Sequence, residues 1–231
     1  MGAVATRTVR TGFDPARHAP PFPNCFPAGT PVVSLRTPLG RLNLGDACHG
    51  LCGGMAFAAL DGFLWGVPPP DEPTPAVVRT FARRLLESWD FPFGVLKYLD
   101  WQRRPQRSYT VAGVRVVTGL TRLTVRETWP QVQAQLDAGV PVPLGMVKAS
   151  SFDPWRMPEN HQVLAYGYTQ TGDTVTLHVY EPNYPGDPDA AVELPLADPE
   201  CPEPFAHSCE GRTVRGLFVA AYTRPDAAPG W

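Results

Sequence analysis

The chain has 231 residues, of which 43% are hydrophobic and 18% are charged, and its formal net charge is -2 at pH 7. This length suits one domain of ordinary core size or a domain built from two lobes, and the charge argues against a nucleic-acid partner. No run approaches the roughly 18–20 uncharged apolar residues of a membrane span, and the start lacks an apolar signal segment. We therefore expect a cytoplasmic protein without a membrane partner, with its five cysteines as free thiols.

Residues 1–45 are rich in proline and turn residues. Phe13, Phe22 and Phe26 supply apolar anchors that a disordered tail would lack. We expect an extended, Pro-rich arm packed on a domain that covers residues 46–231.

Cys52, Gly53 and Gly54 open an apolar, Ala-rich stretch that we expect to be helical up to Trp65. The first turn of a helix leaves N–H groups unpaired, and its positive dipole end favours a thiolate over a thiol. The glycines would let a substrate carbonyl approach these N–H groups, so Gly53 is predicted to contribute to an oxyanion hole. Cys52 is therefore a candidate nucleophile, and the alternative is a small buried residue at a helix start.

Further helices are predicted in the first 140 residues. Thr74 followed by Pro75 is typical of a helix start, and that helix should reach about Trp89. A helix over 93–102 should bury Val95, Leu96 and Leu99. Thr124 and Glu127 form a capping box that predicts a helix from 124 to about 138, with Gly139 as its C-cap.

The last 90 residues alternate between apolar and polar side chains, which predicts strands. These strands should cover 140–147, 162–168, 174–181, 191–196 and 214–222. Helices in the first part and strands in the second indicate an α+β fold, with an N-terminal helical lobe packed on a C-terminal antiparallel sheet or open barrel.

His161 is the best-placed base for Cys52, since it begins a predicted strand where a loop meets a sheet edge. If 170–172 form a three-residue hairpin loop, His161 faces Glu181 on the next strand, close enough for a carboxylate to orient the ring. Asn183 would be the diagonal neighbour of His161 and is a further candidate.

Three blocks carry a resemblance to a known superfamily: GLCGGMAF at 50–57, NHQVLAYGY at 160–168 and VYEPN at 179–183. They resemble the Cys, His and Asp/Asn blocks of the papain-like cysteine peptidases. The branch that contains the bacteriocin leader peptidases, the peptidase C39-like branch, is the most similar, together with uncharacterised bacterial members of that fold.

The resemblance implies a papain-like fold and a thiol-dependent hydrolase, either a peptidase or an amidase. Its triad would be Cys52, His161 and Glu181, it would act on a peptide or amide through an acyl-enzyme, and it would need no cofactor or metal. The family's oxyanion glutamine lies about six residues before the cysteine, where this chain has Asp46. An ionised aspartate cannot donate a hydrogen bond, so Asp46 in the oxyanion position puts strong activity in doubt.

Two other classes of function stay open at this point. A non-catalytic binding module of the same fold would fit the aspartate at position 46. A zinc site is the other alternative, with ligands drawn from Cys48, His49, Cys52, Cys201, His207 and Cys209. Residues 202–208, which contain two prolines, are predicted to form a surface loop between the last two strands.

Overall fold

The computed structural model describes residues 5–26, 31–37, 40–46, 50–209 and 213–231, with the backbone alone described for 31–37 and 40–46. The helices are α1 (Pro15–His18), α2 (Cys52–Trp65), α3 (Pro75–Ser88), α4 (Phe93–Arg103), α5 (Leu120–Leu123) and α6 (Trp129–Asp137). A π-helical turn, Thr124–Thr128, joins α5 to α6, and a 3-10 helix spans Pro154–Glu159.

The strands of the first half are β1 (Thr6–Arg10), β2 (Pro31–Thr37), β3 (Gly40–Asp46), β4 (Tyr109–Val111) and β5 (Val114–Val117). Those of the second half are β6 (Val142–Val147), β7 (His161–Thr171), β8 (Thr174–Tyr180), β9 (Ala191–Pro195), β10 (Phe205–Ala206), β11 (Thr213–Val214) and β12 (Gly216–Val219).

The main sheet is antiparallel and is centred on β7. Its strand order is β12–β6–β7–β8–β9, and β1 pairs with the second half of β7. Met146 of β6 lies opposite His161, whereas Arg10 of β1 lies opposite Gly167. The predicted combination of helices with an antiparallel sheet is therefore present.

Both faces of this sheet are covered, which is why the first eight residues of β7 are all buried. Val163 and Ala165 face a cluster that includes Trp129 and Leu136 of the helical segment after Leu120. Leu164 of the opposite face packs against α2. This sandwich fixes the beginning of β7 beside the beginning of α2.

The N-terminal arm belongs to the sheet and does not merely lie on the domain surface. β1 extends the β6 side of β7, and Phe13 is buried in the cluster with α2. The hairpin of β2 and β3 within the arm was not expected from the sequence.

Two helix predictions need correction. The buried side chains of α4 are Tyr98, Trp101 and Gln102, while Leu96, which was expected to be buried, is 56% exposed. Thr124 does not cap a helix, because it lies inside the continuous helical segment that starts at Leu120. Its hydroxyl accepts a hydrogen bond from the Leu217 N–H at 3.0 Å instead.

The segment predicted as a surface loop, 202–208, also differs from expectation. It contains β10, which pairs with β11, and Phe205 and His207 are both buried. His207 forms a β-bridge with Val192 of β9. The strand predicted over 214–222 is divided at Arg215 into β11 and β12.

Among the residues that the structure describes, none of the helices combines the length and the apolar character that crossing a bilayer requires.

Candidate active site

Cys52 is the first residue of α2, as the sequence predicts. The Met55 N–H bonds the Leu51 carbonyl at 2.9 Å, so the N–H groups of residues 52–54 belong to the first turn, which has no intrahelical acceptors. Cys52 is partly exposed as a residue. The helix start thus places a thiol beside a positive dipole end.

His161 and Glu181 are in direct contact, which is the pairing predicted from the sequence. His161 Nε2 lies 2.5 Å from Glu181 Oε1, and the two side chains are 7% and 1% exposed. Because the pair is shielded from water, its electrostatic interaction is stronger than that of a surface pair.

The hairpin register that led to this prediction is wrong, although the contact is present. The turn has two residues, Gly172 and Asp173, and Thr171 pairs with Thr174. Gly172 has a φ of +58°, which the first central position of a type II′ turn requires. An extra residue in β7, Tyr166, then shifts the register again by one.

Glu181 consequently lies just beyond the end of β8, offset along the sheet from His161. Tyr180, the last residue of β8, pairs with Leu164. Diagonal neighbours in an antiparallel pair are about 7–8 Å apart, within reach of long side chains. The long side chain of a glutamate spans this offset.

The His161 ring is close enough to Cys52 for its charge and its hydrogen-bonding capacity to lower the pKa of the thiol. Glu181 occupies Nε2 of that ring, so Nδ1 is the atom left for the sulfur. The main-chain N–H of Gln162 also acts to lower the pKa of the thiol. Burial acts to raise the pKa of the Cys52 thiol, but these interactions outweigh it and hold the pKa below its ordinary value.

His161 and Glu181 carry opposite charges, and each stabilises the charged form of the other. Burial acts to lower the pKa of His161, yet the negative charges of Cys52 and Glu181 raise it to about 9. Burial acts to raise the pKa of Glu181, but His161 and the Asn183 N–H hold it below its usual value. At neutral pH the site therefore contains an imidazolium and a carboxylate, and the imidazolium favours the thiolate form of Cys52.

Asn183 supports the carboxylate. Its main-chain N–H donates to Glu181 Oε1 at 3.0 Å, and its side-chain oxygen accepts a hydrogen bond from Asn24 at 3.0 Å. Tyr98 contacts the main chain of the base, since its hydroxyl donates a hydrogen bond to the His161 carbonyl at 3.1 Å.

His207 was considered in the sequence only as a zinc ligand, and its position beside Glu181 was not predicted. Its Nε2 lies 3.6 Å from Glu181 Oε2, and its side chain is 2% exposed. The segment was expected to be at the surface because of its prolines. The signal that could have found it is the alternation of Phe205 and His207, which share one face of β10 and its continuation.

The glycines after Cys52 are explained by packing. A Cβ on Gly53 would lie 2.3 Å from Gln162 Oε1 and 2.6 Å from Ser88 Oγ. Gly53 is buried, so the space on its Cα is filled by these side chains and is not open to substrate. Its proposed role as an oxyanion donor thus depends on its N–H alone and stays a prediction.

The remaining predicted residues are less completely described. Asp46 ends β3, but its side chain lies outside the described residues, as do Cys48 and His49. Cys209 Sγ contacts Asp187 Oδ2 at 3.8 Å. Within the described part of the chain, His, Cys, Asp and Glu side chains form no group of three or more that could hold a metal ion.

Comparison of the chain with protein-family models, with curated proteins and with solved structures finds no significant match.

Proposed function

We propose that the protein is a thiol-dependent hydrolase of papain-like fold that cleaves a peptide or amide bond through an acyl-enzyme. The observation that carries this proposal is the 2.5 Å contact of Glu181 with His161, whose ring also acts to lower the pKa of the Cys52 thiol. A nucleophile, a base and a group that orients the base are the three parts that such catalysis requires.

The residues have distinct roles in the proposed reaction. The Cys52 thiolate attacks the substrate carbonyl, forming a C–S bond and moving the carbonyl electrons onto oxygen. When the tetrahedral adduct collapses, the C–N bond breaks and the His161 imidazolium gives its proton to the departing amine. Neutral His161 then takes a proton from water, which attacks the thioester and releases the acid and the thiolate.

Glu181 keeps the His161 ring in one orientation and stabilises its charged form. The N–H groups at the start of α2 are the groups available to stabilise the oxyanion. We propose no more specific substrate than a peptide or amide, and the proposal requires no metal or cofactor.

The test is competitive alkylation with a small amount of iodoacetamide near pH 7, followed by mass-spectrometric mapping of the modified cysteine. We expect Cys52 to react about tenfold faster than Cys25, because an ordinary thiol is only a few per cent ionised at this pH. Cys25 is exposed and serves as an internal control for access.

The variant His161→Ala should slow the labelling of Cys52 without changing that of Cys25. Equal labelling of the two cysteines in the unmodified protein would contradict the proposal. In that case, the non-catalytic binding module becomes the better interpretation.

A further inference from the structure

Asn24, in the N-terminal arm, contacts both chain segments that carry the proposed catalytic residues. Its Oδ1 accepts a hydrogen bond of 2.5 Å from the N–H of Leu51, the residue before Cys52. Its Nδ2 donates to Asn183 Oδ1 at 3.0 Å, and its main-chain N–H donates to the Pro182 carbonyl at 2.9 Å. A single arm residue therefore joins the segment before the nucleophile to the segment that follows Glu181.

The orientation of the Asn24 amide follows from its partners. The Leu51 N–H can only donate, so the atom that faces it must be the amide oxygen, and the NH₂ group then faces Asn183. Leu51 is fully buried, and Asn24 Oδ1 is the acceptor for its N–H. Asparagine is a short side chain that supplies both a donor and an acceptor, which aspartate and leucine cannot do.

Gly50 shows how closely Asn24 approaches. A Cβ on Gly50 would lie 2.6 Å from Asn24 Nδ2, and the φ of Gly50 is +94°, a conformation that glycine adopts without strain. The residues that lead into α2 therefore pack against Asn24 of the arm, and Gly50 leaves the space that this contact needs.

We propose that Asn24 is a positioning residue, and that it makes the arm a required part of the active site. Asn183 donates its N–H to Glu181 Oε1, and Glu181 contacts His161, so the hydrogen bonds run from Leu51 through Asn24 to the base. Asn24 fixes the distance between the start of α2 and the segment after β8. The proposal rests on the proposed function, because it assigns Asn24 to the geometry of that site.

The experiment measures the rate of Cys52 alkylation by iodoacetamide between pH 4 and pH 10, together with thermal unfolding, in four variants. Asn24→Ala removes both side-chain bonds, and Asn24→Asp keeps the acceptor for Leu51 but places an oxygen against Asn183 Oδ1. Asn183→Ala removes the contact from the other end. Thr8→Ala is the control, since it removes an arm hydroxyl that bonds Thr169 at 3.3 Å in another part of the sheet.

We expect Asn24→Ala to lower the alkylation rate at pH 7 by roughly tenfold or more and to move the acid limb of the profile to higher pH. Asn24→Asp and Asn183→Ala should give a smaller change of the same kind, and Thr8→Ala should leave the profile unchanged. A purely structural role would lower the unfolding temperature without moving the acid limb.

The proposal is overturned if the variants that remain folded keep the original profile. Should Asn24→Ala not fold, the same criterion applies to Asn24→Asp and Asn183→Ala. If the unmodified protein itself shows no low-pKa Cys52, the proposed function fails, and this inference fails with it. An unmodified protein with a reactive Cys52 and unchanged variants overturns the role of Asn24 alone.

Discussion

The side chain of Glu181 is long enough to reach His161 and is charged. An aspartate or an asparagine at this position would be one methylene shorter, and the asparagine would also lack the charge. Its backbone lies beyond the last paired residue of β8, and its carboxylate still reaches His161 Nε2. The second carboxylate oxygen faces His207 at 3.6 Å. An aspartate at 181 would have to move the backbone by about one methylene length to keep the first contact.

Replacing Glu181 by glutamine tests the contribution of its charge, because glutamine keeps the length and one oxygen acceptor. The carboxylate is one of the groups that raise the pKa of His161 to about 9, so the pKa should fall in Glu181→Gln. The measurement is an NMR titration of the histidine ring nitrogens as the pH is raised from 6 to 11. His178 is the internal control, because burial, with a further contribution from Arg10, lowers its pKa to about 4. Its ring signals should therefore stay constant over this pH range in both proteins.

The sign of the pH effect on stability follows from the same shift. An unperturbed histidine has a pKa of about 6.5, and His161 in the folded protein has one of about 9. The stabilisation by this group is therefore complete below about pH 6.5 and is lost as the pH rises to about 9. An unchanged His161 titration in Glu181→Gln would show that the carboxylate does not stabilise the imidazolium.

At the scale of the elements, the contact between α2 and α3 depends on Gly54. A Cβ at this position would lie 1.9 Å from the Phe81 carbonyl oxygen, which belongs to the backbone of α3 and cannot rotate away. Gly54→Ala should therefore lower the free energy of unfolding by about 1–3 kcal/mol through overpacking. The better helix propensity of alanine, about 1 kcal/mol, would offset part of this loss.

Denaturant unfolding of Gly54→Ala measures this effect directly. Gly230→Ala is the matched control, because a Cβ on Gly230 would have no neighbour within 4 Å. We expect the control to unfold at the same denaturant concentration as the original protein. A Gly54→Ala protein that is as stable as the original would mean that α3 moves away from α2 without loss.

Local patterns predicted the elements that are defined locally. α2 was predicted to span Cys52–Trp65, and Thr74 was predicted to begin α3, because a run of apolar residues and an N-cap are short-range signals. The buried face predicted for α4 was wrong, because this largely exposed helix buries two amphipathic aromatic side chains, Tyr98 and Trp101, and leaves aliphatic Leu96 outside.

Some residues of the candidate site can likewise be identified from local sequence patterns, whereas others are brought to the site by long-range pairing. Cys52, His161 and Glu181 each begin or follow a regular element, so the sequence could identify them. Asn24 and His207 lie in Pro-rich segments, and long-range pairing brings them to the site. The contact of Glu181 with His161 was predicted from a wrong hairpin register. It is nevertheless present, because the long side chain of Glu181 spans the offset between the two residues.

At the scale of the whole molecule, Asp61 and Arg84 join the helices to the C-terminal segment after β12. Arg84 Nε lies 2.8 Å from Asp61 Oδ2, and the two side chains are 4% and 3% exposed. Tyr222, beyond β12, donates its hydroxyl to Asp61 Oδ1 at 2.6 Å. The Arg84 guanidinium also lies over the rings of Phe57 and Tyr222, at 5.1 and 5.3 Å.

Because both charges are buried, removing one of them should be more harmful than removing both. Arg84→Met leaves Asp61 without its cation and should lower the free energy of unfolding by about 3–5 kcal/mol. The double variant Asp61→Leu with Arg84→Met buries no uncompensated charge, so we expect it to be more stable than Arg84→Met alone. Denaturant unfolding of the single and double variants measures the coupling between the two positions.

The exposed ion pair of Arg7 and Asp137 serves as a comparison, because it has similar geometry to the Arg84–Asp61 pair but is not buried. Their ion pair has the same length, 2.9 Å, as one of the Arg84–Asp61 hydrogen bonds, but the side chains are 58% and 32% exposed. Arg7→Met should therefore change the free energy of unfolding by only about 0–1 kcal/mol. If Arg84→Met were equally mild, Asp61 would have to regain water or a proton in the variant. Entry of water would mean that the junction of α2, α3 and the C-terminal segment is open to solvent. With either water or a proton, the fold would not depend on this ion pair to join the three segments.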